Sequence, residues 1–414
     1  MGLVTVAAVI SLAAWFWLLL CNGMFWRTDV RLPAHVPHAR PAGKPWPSVA
    51  IVVPARDEAD VLPDSLPSLL AQDYPGPARI FLVDDGSTDG TASVARRLAG
   101  LLAGDGLPLT ITSPGDPPPG WTGKLWALEH GIALARRSGP GLSPVPAPVP
   151  APAPARTPTP DYLLLTDADI AHEPDSLRAL VTAAESHGLD LVSQMARLRV
   201  ATLWERLLVP AFVYFFAQLY PFRRVNRPGS RTAAAAGGCV LLRTEAAIRA
   251  GVPASVRQAV IDDVSLARAV QRSGGRIWLG LAERVDSVRP YPRLADLWRM
   301  VSRSAYAQLR HRPSLLIGTA AGLTLVYLVP PAALLLGLAA GSPLARSAGG
   351  LAWLLMTATY VPMLRYYRLT PALAPALPFT AFLYLLMTVD SAGRHYRGRG
   401  AAWKGRTYPR PSDA

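Results

Sequence analysis

Cysteine and charged residues are both scarce in this chain of 414 residues. It contains two cysteines, Cys21 and Cys239, and only 17% of its residues are charged. Because the two cysteines lie in very different contexts, a structural disulfide is not expected, and two thiols are too few for a cysteine-based metal site. Half of the residues are hydrophobic, and the mean hydropathy of +0.22 is high for a water-soluble enzyme.

The charges that are present are mostly positive, and the formal net charge is +14. A basic chain can bind nucleic acid, or it can be a membrane protein whose Lys and Arg residues lie on the cytoplasmic side. The sequence lacks zinc-finger spacing, an RNA-recognition signature and a platform of aromatic and basic residues. We therefore expect no nucleic-acid partner, and the membrane class is favoured.

The N-terminal segment predicts a membrane anchor over residues 1–25. Leu3–Cys21 is free of charge and has nearly the ~20 residues that a spanning helix needs. No positive residue precedes it and no small-x-small cleavage site follows, which favours a retained anchor over a cleaved signal peptide. Four basic residues come next, so the positive-inside rule places the following segment in the cytoplasm: Arg27, Arg31, Arg40 and Lys44.

The region 314–390 is apolar again and predicts a C-terminal transmembrane region. Its apolar runs are Ser314–Gly341, Gly349–Leu364 and Ala372–Val389. Pro330 and Pro331 lie in the first run, where they would kink a helix or break it into a hairpin.

The tail, residues 391–414, conflicts with a simple count of three C-terminal spans. Three spans would place it outside, yet it carries six basic residues and one acidic residue. Because the positive-inside rule favours a cytoplasmic tail, we expect one of the three runs to be re-entrant or hairpin-like.

Between the anchors, apolar β runs alternate with turn residues and helical runs. This alternation predicts a parallel α/β sheet whose ligands bind at the carboxyl ends of the strands. A proline-rich tract at 140–160 is expected to be an extended insertion within this one domain. The predicted strands are Val49–Val53, Ile80–Val83 and Tyr162–Leu165, and the predicted helices are Leu62–Leu70, Thr91–Leu102 and Lys124–Ala135.

The stretch YLLLTDADI ends a predicted buried strand with two carboxylates, Asp167 and Asp169. Side chains at i and i+2 of an extended segment point to one side, where like charges repel unless a cation lies between them. Mg²⁺ and Mn²⁺ bind such carboxylates together with substrate phosphates. The alternative is ordinary turn chemistry, in which Asp is common.

Other strand ends and helix starts carry groups that suit a phosphorylated ligand. Asp84 and Asp85 follow a strand in LVDDGSTDG, where they either hold a turn or accept bonds from a ribose or base. Lys124 begins a helix and could meet a diphosphate or solvent. Gly237 and Gly238 suit close backbone approach to a ligand or close packing.

Asp262 and Asp263 begin a later predicted helix. Carboxylates are favourable near a helix N-terminus on dipole grounds alone. Downstream of a metal-type pair, however, such a carboxylate can also supply a general base.

Taken in order, IVVPARDE, VDDGSTDG, TGK, TDAD, GG and IDD resemble the inverting family-2 glycosyltransferases of GT-A fold, a Rossmann-like, mostly parallel sheet with flanking helices. The pattern covers roughly 49–286, which implies a GT-A domain at 44–290. WTGKLWAL, LDLVSQMARLR, WERLLVPAFVYFF and AAAAGGCVLLR extend the resemblance to the membrane glycosyltransferases associated with hopanoid biosynthesis in bacteria. This resemblance implies an enzyme of the bacterial inner membrane whose catalytic domain faces the cytoplasm.

The resemblance also implies roles for single residues. Asp167 and Asp169 would bind a nucleotide-sugar donor, most often a UDP-sugar, through Mg²⁺ or Mn²⁺, and Asp263 would be the general base. Asp262 stands where the family usually has Glu. The implied nucleotide contacts are Pro54, Glu58, Asp84 or Asp85, Lys124, Gly237 and Gly238.

One departure from the family bears on the product. Processive polysaccharide synthases carry Gln-x-x-Arg-Trp after the base, and the nearest match here, Met300-x-x-Arg303-Ser304, keeps only the arginine. This favours a single transfer over polymer synthesis. We expect Arg303 to contact the substrate or nucleotide. A catalytically silent lipid-binding or scaffold protein is a third hypothesis, and the intact carboxylate set disfavours it.

The acceptor side is inferred from apolar segments. Leu207–Phe222 is either a buried core helix or a helix on the bilayer surface, and Asp296–Arg310 predicts an amphipathic interface helix within 291–312. The tail motif WKGRTYP resembles the ending of ceramide glucosyltransferases, so Arg406 either contacts diphosphate or anchors the tail. The expected acceptor is a hopanoid-like or other lipid hydroxyl, and the oligomeric state is left open.

Overall fold

A computed structural model of the chain describes residues 2–34, 44–102, 104, 106–138 and 159–397, together with the backbone of two short strands, Ala402–Trp403 and Arg406–Thr407. The predicted insertion at 140–160 lies almost entirely outside the described residues. The chain forms two compact units. We call them the sheet unit (Arg31–Leu198 and Ala233–Arg289) and the helical unit (Met1–Val30, Arg199–Thr232 and Pro290–Arg410).

The sheet unit contains an eight-stranded mixed sheet in the order β3-β2-β1-β4-β7-β6-β8-β5. Strands β1 to β4 run parallel, whereas β7 is antiparallel to both β4 and β6. The strands are β1 (Val49–Ala55), β2 (Ala78–Asp84), β3 (Leu109–Thr112), β4 (Tyr162–Thr166), β5 (Ile170–His172), β6 (Leu191–Leu198), β7 (Cys239–Arg243) and β8 (Ile277–Ser287).

Helices flank this sheet and make up most of the helical unit. In chain order they are α1 (Gly2–Cys21), α2 (Leu62–Leu70), α3 (Thr91–Leu101), α4 (Gly123–Ser138), α5 (Ser176–His187), α6 (Leu203–Leu219), α7 (Phe222–Val225), α8 (Thr244–Ala250), α9 (Asp262–Arg272), α10 (Leu294–Ser302), α11 (Ala305–Gln308), α12 (Pro313–Leu323), α13 (Val329–Ala339), α14 (Pro343–Tyr366) and α15 (Leu377–Tyr396).

The predicted alternation of strands and helices is confirmed, with element ends shifted by one to three residues. Strand β1 is buried along its whole length, as expected for a central parallel strand covered on both faces. A close approach of α4 to this strand depends on Gly131, because a Cβ there would lie 2.5 Å from Val52 Cγ1. The sequence therefore brings the N-terminus of α4 to the carboxyl edge of the sheet.

Four helices of the described residues are long and apolar enough to cross a membrane: Gly2–Cys21, Pro313–Ala339, Pro343–Tyr366 and Pro371–Tyr396. Of the two alternatives predicted for Pro330 and Pro331, a kink or a hairpin, the hairpin is not formed. The helix continues through both prolines with a π-helical segment, Thr324–Leu328. The Val326 carbonyl would pair with the N–H of residue 330 in an α-helix, and proline has none. The Trp15 indole N–H supplies the missing bond at 2.7 Å.

The last two long helices, α14 and α15, run in the same direction. Trp353 of α14 donates its indole N–H to the carbonyl oxygen of Pro375, 3.2 Å away. Further along each helix, Tyr360 and Tyr384 contact neighbouring rings of α6. Residues 367–376 therefore lead the chain back along α14 before α15 starts.

The end of α15 consequently lies beside the residues that precede α12. The His395 and His311 rings stack with centroids 4.3 Å apart, and the hydroxyls of Tyr396 and Tyr306 are 2.8 Å apart. If the three C-terminal apolar segments crossed the membrane in alternating directions, the end of α15 and the start of α12 would lie on opposite sides. Because these two ends are in contact, the last segment returns to the side from which it started. The basic tail led us to expect this for one of the three segments.

Two predicted boundaries differ from the structure. Residues 199–232, placed by sequence within the 44–290 domain, group with the helical unit, because α6 packs on α14 and α15. Tyr214 bonds the Thr359 hydroxyl at 2.8 Å and Tyr384 donates to the Leu208 carbonyl, which favours the buried-core interpretation of this helix. The single helix expected within 291–312 is divided into α10 and α11, with a break at 303–304.

Candidate active site

Six of the residues singled out in the sequence line one pocket of the sheet unit. Its walls come from the ends of β1 and β4, the start of α4, the turn before β7 and the start of α9. Leucine and valine side chains and Thr166 complete the lining. The six predicted residues are Pro54, Lys124, Asp167, Gly237, Asp262 and Asp263.

Lys124 is the cation of this pocket. Its Nζ lies 2.8 Å from Asp167 Oδ1 and 3.1 Å from Asp262 Oδ2. Burial alone would lower the pKa of Lys124, but the nearby carboxylates, that of Asp263 included, outweigh burial and raise it. The lysine is therefore charged, and it links the end of β4 to the start of α9.

Asp263 is held by two backbone N–H groups. Gly237 donates to Oδ2 at 2.9 Å and Val264 donates to Oδ1 at 2.7 Å. Burial raises the pKa of Asp263 to about 7, and the charge of Asp262 adds to this rise, while Lys124 and both N–H groups oppose it. A carboxylate with a pKa near neutrality suits a general base.

Arg289, to which the sequence analysis gave no role, joins two of the predicted residues. Its Nε donates to Asp169 Oδ2 at 2.8 Å, and its guanidinium also donates to Glu58 Oε2 at 2.6 Å. Glu58 is thereby buried with a charged partner and is not among the pocket-lining residues. The one feature of the sequence that could have indicated this role is that Arg289 is the single charged residue in SVRPY, at the end of β8.

Asp84 and Asp85 make contacts typical of turn structure. Asp84 Oδ1 accepts a bond from the Ser87 N–H at 2.9 Å. Asp85 is fully buried and lies 3.6 Å from the guanidinium of Arg56. Neither lines the pocket described above, and their nucleotide role stays a prediction.

Gly238 connects the two halves of the site through its carbonyl oxygen. That oxygen accepts a bond from the Thr166 hydroxyl at 2.8 Å, and the Asp167 N–H points to it at 3.4 Å. A Cβ on Gly238 would lie 3.0 Å from Ile170 Cδ1. Close packing, one of the two interpretations of the glycine pair, therefore applies to Gly238.

The last two predicted contacts belong to the helical unit. Arg303 is exposed at the end of α10 in the helical unit. The side chain of Arg406 is outside the described residues. The roles of both arginines stay predictions.

Known proteins resemble this chain at three levels. The family described as "Glycosyltransferase like family 2" matches residues 47–307. An N-acetylglucosaminyltransferase of Mesorhizobium japonicum is 43% identical over 67 residues, and one of Rhizobium leguminosarum bv. viciae is 50% identical over 56 residues. These matches cover 15% and 13% of this chain and only 16% and 13% of the two relatives.

A solved structure extends the likeness to the whole fold. A mannosyltransferase from Pyrobaculum calidifontis, in complex with GDP-Man and Mn²⁺, superposes with a TM-score of 0.53 at 20% identity, covering 96% of this chain and 99% of that one. The mixed sheet with flanking helices is thus the expected GT-A-like fold. Since the family match spans more than half of its residues, the chain belongs to the glycosyltransferase-like family 2.

Proposed function

We propose that this protein transfers one sugar from a nucleotide-sugar donor to a lipid hydroxyl, in a single displacement with inversion. The observation that carries the proposal is one pocket containing both the cation Lys124 and the carboxylate Asp263, whose pKa is about 7. A cation suits a diphosphate leaving group, and a carboxylate of this pKa suits an attacking hydroxyl.

In the proposed reaction the acceptor oxygen forms a bond to the anomeric carbon while the bond from that carbon to the diphosphate breaks. Asp263 takes the acceptor's proton. The electron pair of the broken bond leaves on the nucleoside diphosphate, whose charge Lys124 opposes. Asp262 keeps the ammonium in place through its 3.1 Å contact.

The donor set fits a hard divalent cation, Mg²⁺ or Mn²⁺, at Asp167 and Asp169. Burial raises the pKa of Asp167, and the charge of Asp169 adds to this rise, so the two carboxylates lie close enough to interact. The described residues contain no group of three His, Cys, Asp or Glu side chains that could hold a metal ion, so the other ligands would be diphosphate and water oxygens. A cation bound there would offset charge on the leaving diphosphate.

For the donor we propose a UDP-sugar, and relatives define the panel to test. The sequence relatives are N-acetylglucosaminyltransferases, and the structural relative was solved with GDP-Man. The donor screen therefore includes UDP-GlcNAc and GDP-Man beside dTDP-sugars.

For the acceptor we propose a hopanoid-like membrane lipid, supported by the motif resemblance and by four apolar helices. Helix α1 is antiparallel to α13, with Ala8 packed near Ala333. The C-terminus of α1, from which the chain continues to the sheet unit, is therefore level with the start of α12 and the end of α15. Basic residues concentrate at this level, which supports a cytoplasmic catalytic domain in an inner membrane.

The test is release of nucleoside diphosphate by the purified chain in detergent with Mn²⁺, with and without hopanoid lipid. We expect lipid-stimulated release from one donor, abolished in Asp263→Asn and retained in Glu245→Gln, a control carboxylate exposed on α8. No release from any donor, together with no Mn²⁺-dependent nucleotide binding, would contradict catalysis and favour the scaffold hypothesis.

A further inference from the structure

A cluster of histidine and tyrosine residues joins the ends of two apolar helices in the helical unit. The imidazoles of His311 and His395 stack with an interplanar angle of 15°. Tyr306 packs against both rings, and its hydroxyl donates to the His311 carbonyl at 3.0 Å. The residues on either side of each histidine are thereby held close together.

The backbone at this point adopts a conformation that few residues tolerate. Arg310 and His311 have φ values of 53° and 54°, and two consecutive left-handed residues without glycine are energetically costly. Strain of this kind persists where the surrounding structure or a function requires it. Here it places His311 on His395 with Arg310 and Arg312 on either side.

These arginines have no counter-ion among the described residues. Arg310 and Arg312 are exposed and form no ion pair with any described residue. On α15, Arg394 pairs with Asp390 at 2.7 Å, and Arg397 also acts on that carboxylate. Arg310 and Arg312 therefore add positive charge that no carboxylate in the described part of the chain pairs with.

The position of the arginines along the helices indicates which kind of anion would bind them. Arg312 directly precedes the candidate span Pro313–Ala339, and Arg397 directly follows the candidate span Pro371–Tyr396. Tyr396 is 62% exposed beside them, and exposed tyrosine with arginine is typical of the level of lipid headgroups. At the opposite end, where α13 leads into α14, residues 339–347 contain one basic residue, Arg346.

We propose that Arg310, Arg312 and Arg397, clamped by the His311–His395 stack, bind the phosphate of an anionic phospholipid. Guanidinium groups pair with phosphate oxygens in a bidentate manner. The apolar helix ends beside them place the acyl chains in the bilayer. The site is separate from the proposed transfer reaction and does not depend on it.

The experiment measures thermal unfolding of the full chain in detergent during titration with phosphatidylglycerol, phosphatidylcholine or inorganic phosphate. We compare the wild type with the double variant Arg310→Gln/Arg312→Gln, with the charge-conserving Arg310→Lys/Arg312→Lys, and with Arg346→Gln as a matched control. Each arginine near an anionic surface contributes a factor of roughly five in affinity, so the double Gln variant should need about thirtyfold more phosphatidylglycerol for the same shift.

The proposal is supported if phosphatidylglycerol alone stabilises the wild type and Arg346→Gln at similar concentrations. The Lys variant keeps the charge but not the bidentate geometry, so it should need a concentration between theirs and that of the Gln variant. The Gln variant must also unfold at the wild-type temperature in phosphatidylcholine, which shows that it is folded. Equal stabilisation of all four proteins by phosphatidylglycerol overturns the proposal. A wild-type shift reproduced by inorganic phosphate alone overturns the lipid assignment.

Discussion

The Gly237 N–H donates to Asp263 Oδ2 at 2.9 Å, and this bond joins the turn before β7 to the first residues of α9. The bond fixes one carboxylate oxygen, and the Val264 N–H fixes the other. The rotamer of the proposed base is therefore set by backbone groups that no side-chain substitution removes. An asparagine at this position could accept only one of the two bonds, because its amide nitrogen is a donor.

Activity should depend on pH through Asp263. Its pKa is raised to about 7 by burial and by Asp262, and a base must be unprotonated, so kcat/KM should fall about tenfold per pH unit below pH 7. The stability effect has the opposite direction. A raised carboxyl pKa destabilises the fold as pH increases from about 4 to about 7, so the stability of the wild type relative to Asp263→Asn should fall over that range. Paired pH–rate and pH–unfolding curves check both signs, and a flat rate profile between pH 5 and 8 would argue against Asp263 as the base.

Two substitutions of Lys124 should show whether its positive charge is needed for stability and for nucleotide binding. Lys124→Met leaves Asp167 and Asp262 without their partner at 2.8 and 3.1 Å. All three side chains are partly exposed, so the loss of unfolding free energy should be smaller than the about 3–5 kcal/mol of a fully buried pair. Lys124→Arg keeps the charge and should retain most of that stability. Nucleotide binding, followed by calorimetry, should be lost in the Met variant and weakened in the Arg variant. Equal nucleotide affinity in Lys124→Met and the wild type would exclude the diphosphate role.

Arg289 should contribute more to stability than a surface arginine does. Arg289→Gln removes the 2.6 Å charged contact of Glu58, which is 6% exposed, and the loss of a hydrogen bond between charged groups costs about 1.5–3 kcal/mol. Arg293 is a matched control, since it pairs with Asp296 in an exposed i,i+3 contact of a kind that solvent screens. Urea unfolding of both Gln variants gives the comparison. Similar losses in the two variants would show that the Glu58–Arg289–Asp169 contact has no special weight.

Much of this arrangement could be predicted from the sequence. Continuous apolar runs predicted β1, β2 and β4, because strands at the centre of a parallel sheet are buried on both faces, and helical spacing of apolar residues predicted the helices that follow them. Asp167, Asp262 and Asp263 lie at ends of elements, where topology alone brings them to one edge. Arg289 could not be assigned in this way, because its partners are 120 and 231 residues distant in the chain. The grouping of α6 with the apolar helices was missed for a similar reason, since its packing partners lie in the C-terminal third.

A buried chain of hydrogen bonds behind Asp167 was equally invisible to sequence patterns, and its direction follows from donor counting. The Thr166 hydroxyl donates to the Gly238 carbonyl, so it must accept from His172 Nε2 at 3.0 Å, and Nδ1 must then accept from Ser176 at 3.1 Å. Burial lowers the pKa of His172 to about 4, which keeps the ring neutral.

Thr166→Val removes the hydroxyl donor and should cost about 1–3 kcal/mol of unfolding free energy, whereas Thr166→Ser keeps the donor. If these hydrogen bonds position Asp167, Mn²⁺-dependent nucleotide affinity should fall in the Val variant and recover in the Ser variant. Equal affinity in the two variants would limit the hydrogen bonds to a structural role.

The direction of α15 predicts where labels will reach the chain. Because α14 and α15 run the same way, Arg365 at the end of α14 and Arg397 after α15 should lie on one side of the membrane, and Ala340 after α13 should lie on the other. Single cysteines at these three positions, in a background with Cys21→Ser and Cys239→Ala, can be treated with a membrane-impermeant maleimide in intact cells. We expect Ala340→Cys to be labelled, and Arg365→Cys and Arg397→Cys to react only after lysis. Labelling of Arg397→Cys but not Arg365→Cys in intact cells would mean that Pro371–Tyr396 crosses the bilayer fully, and the packing of His395 on His311 would then have to break in the membrane.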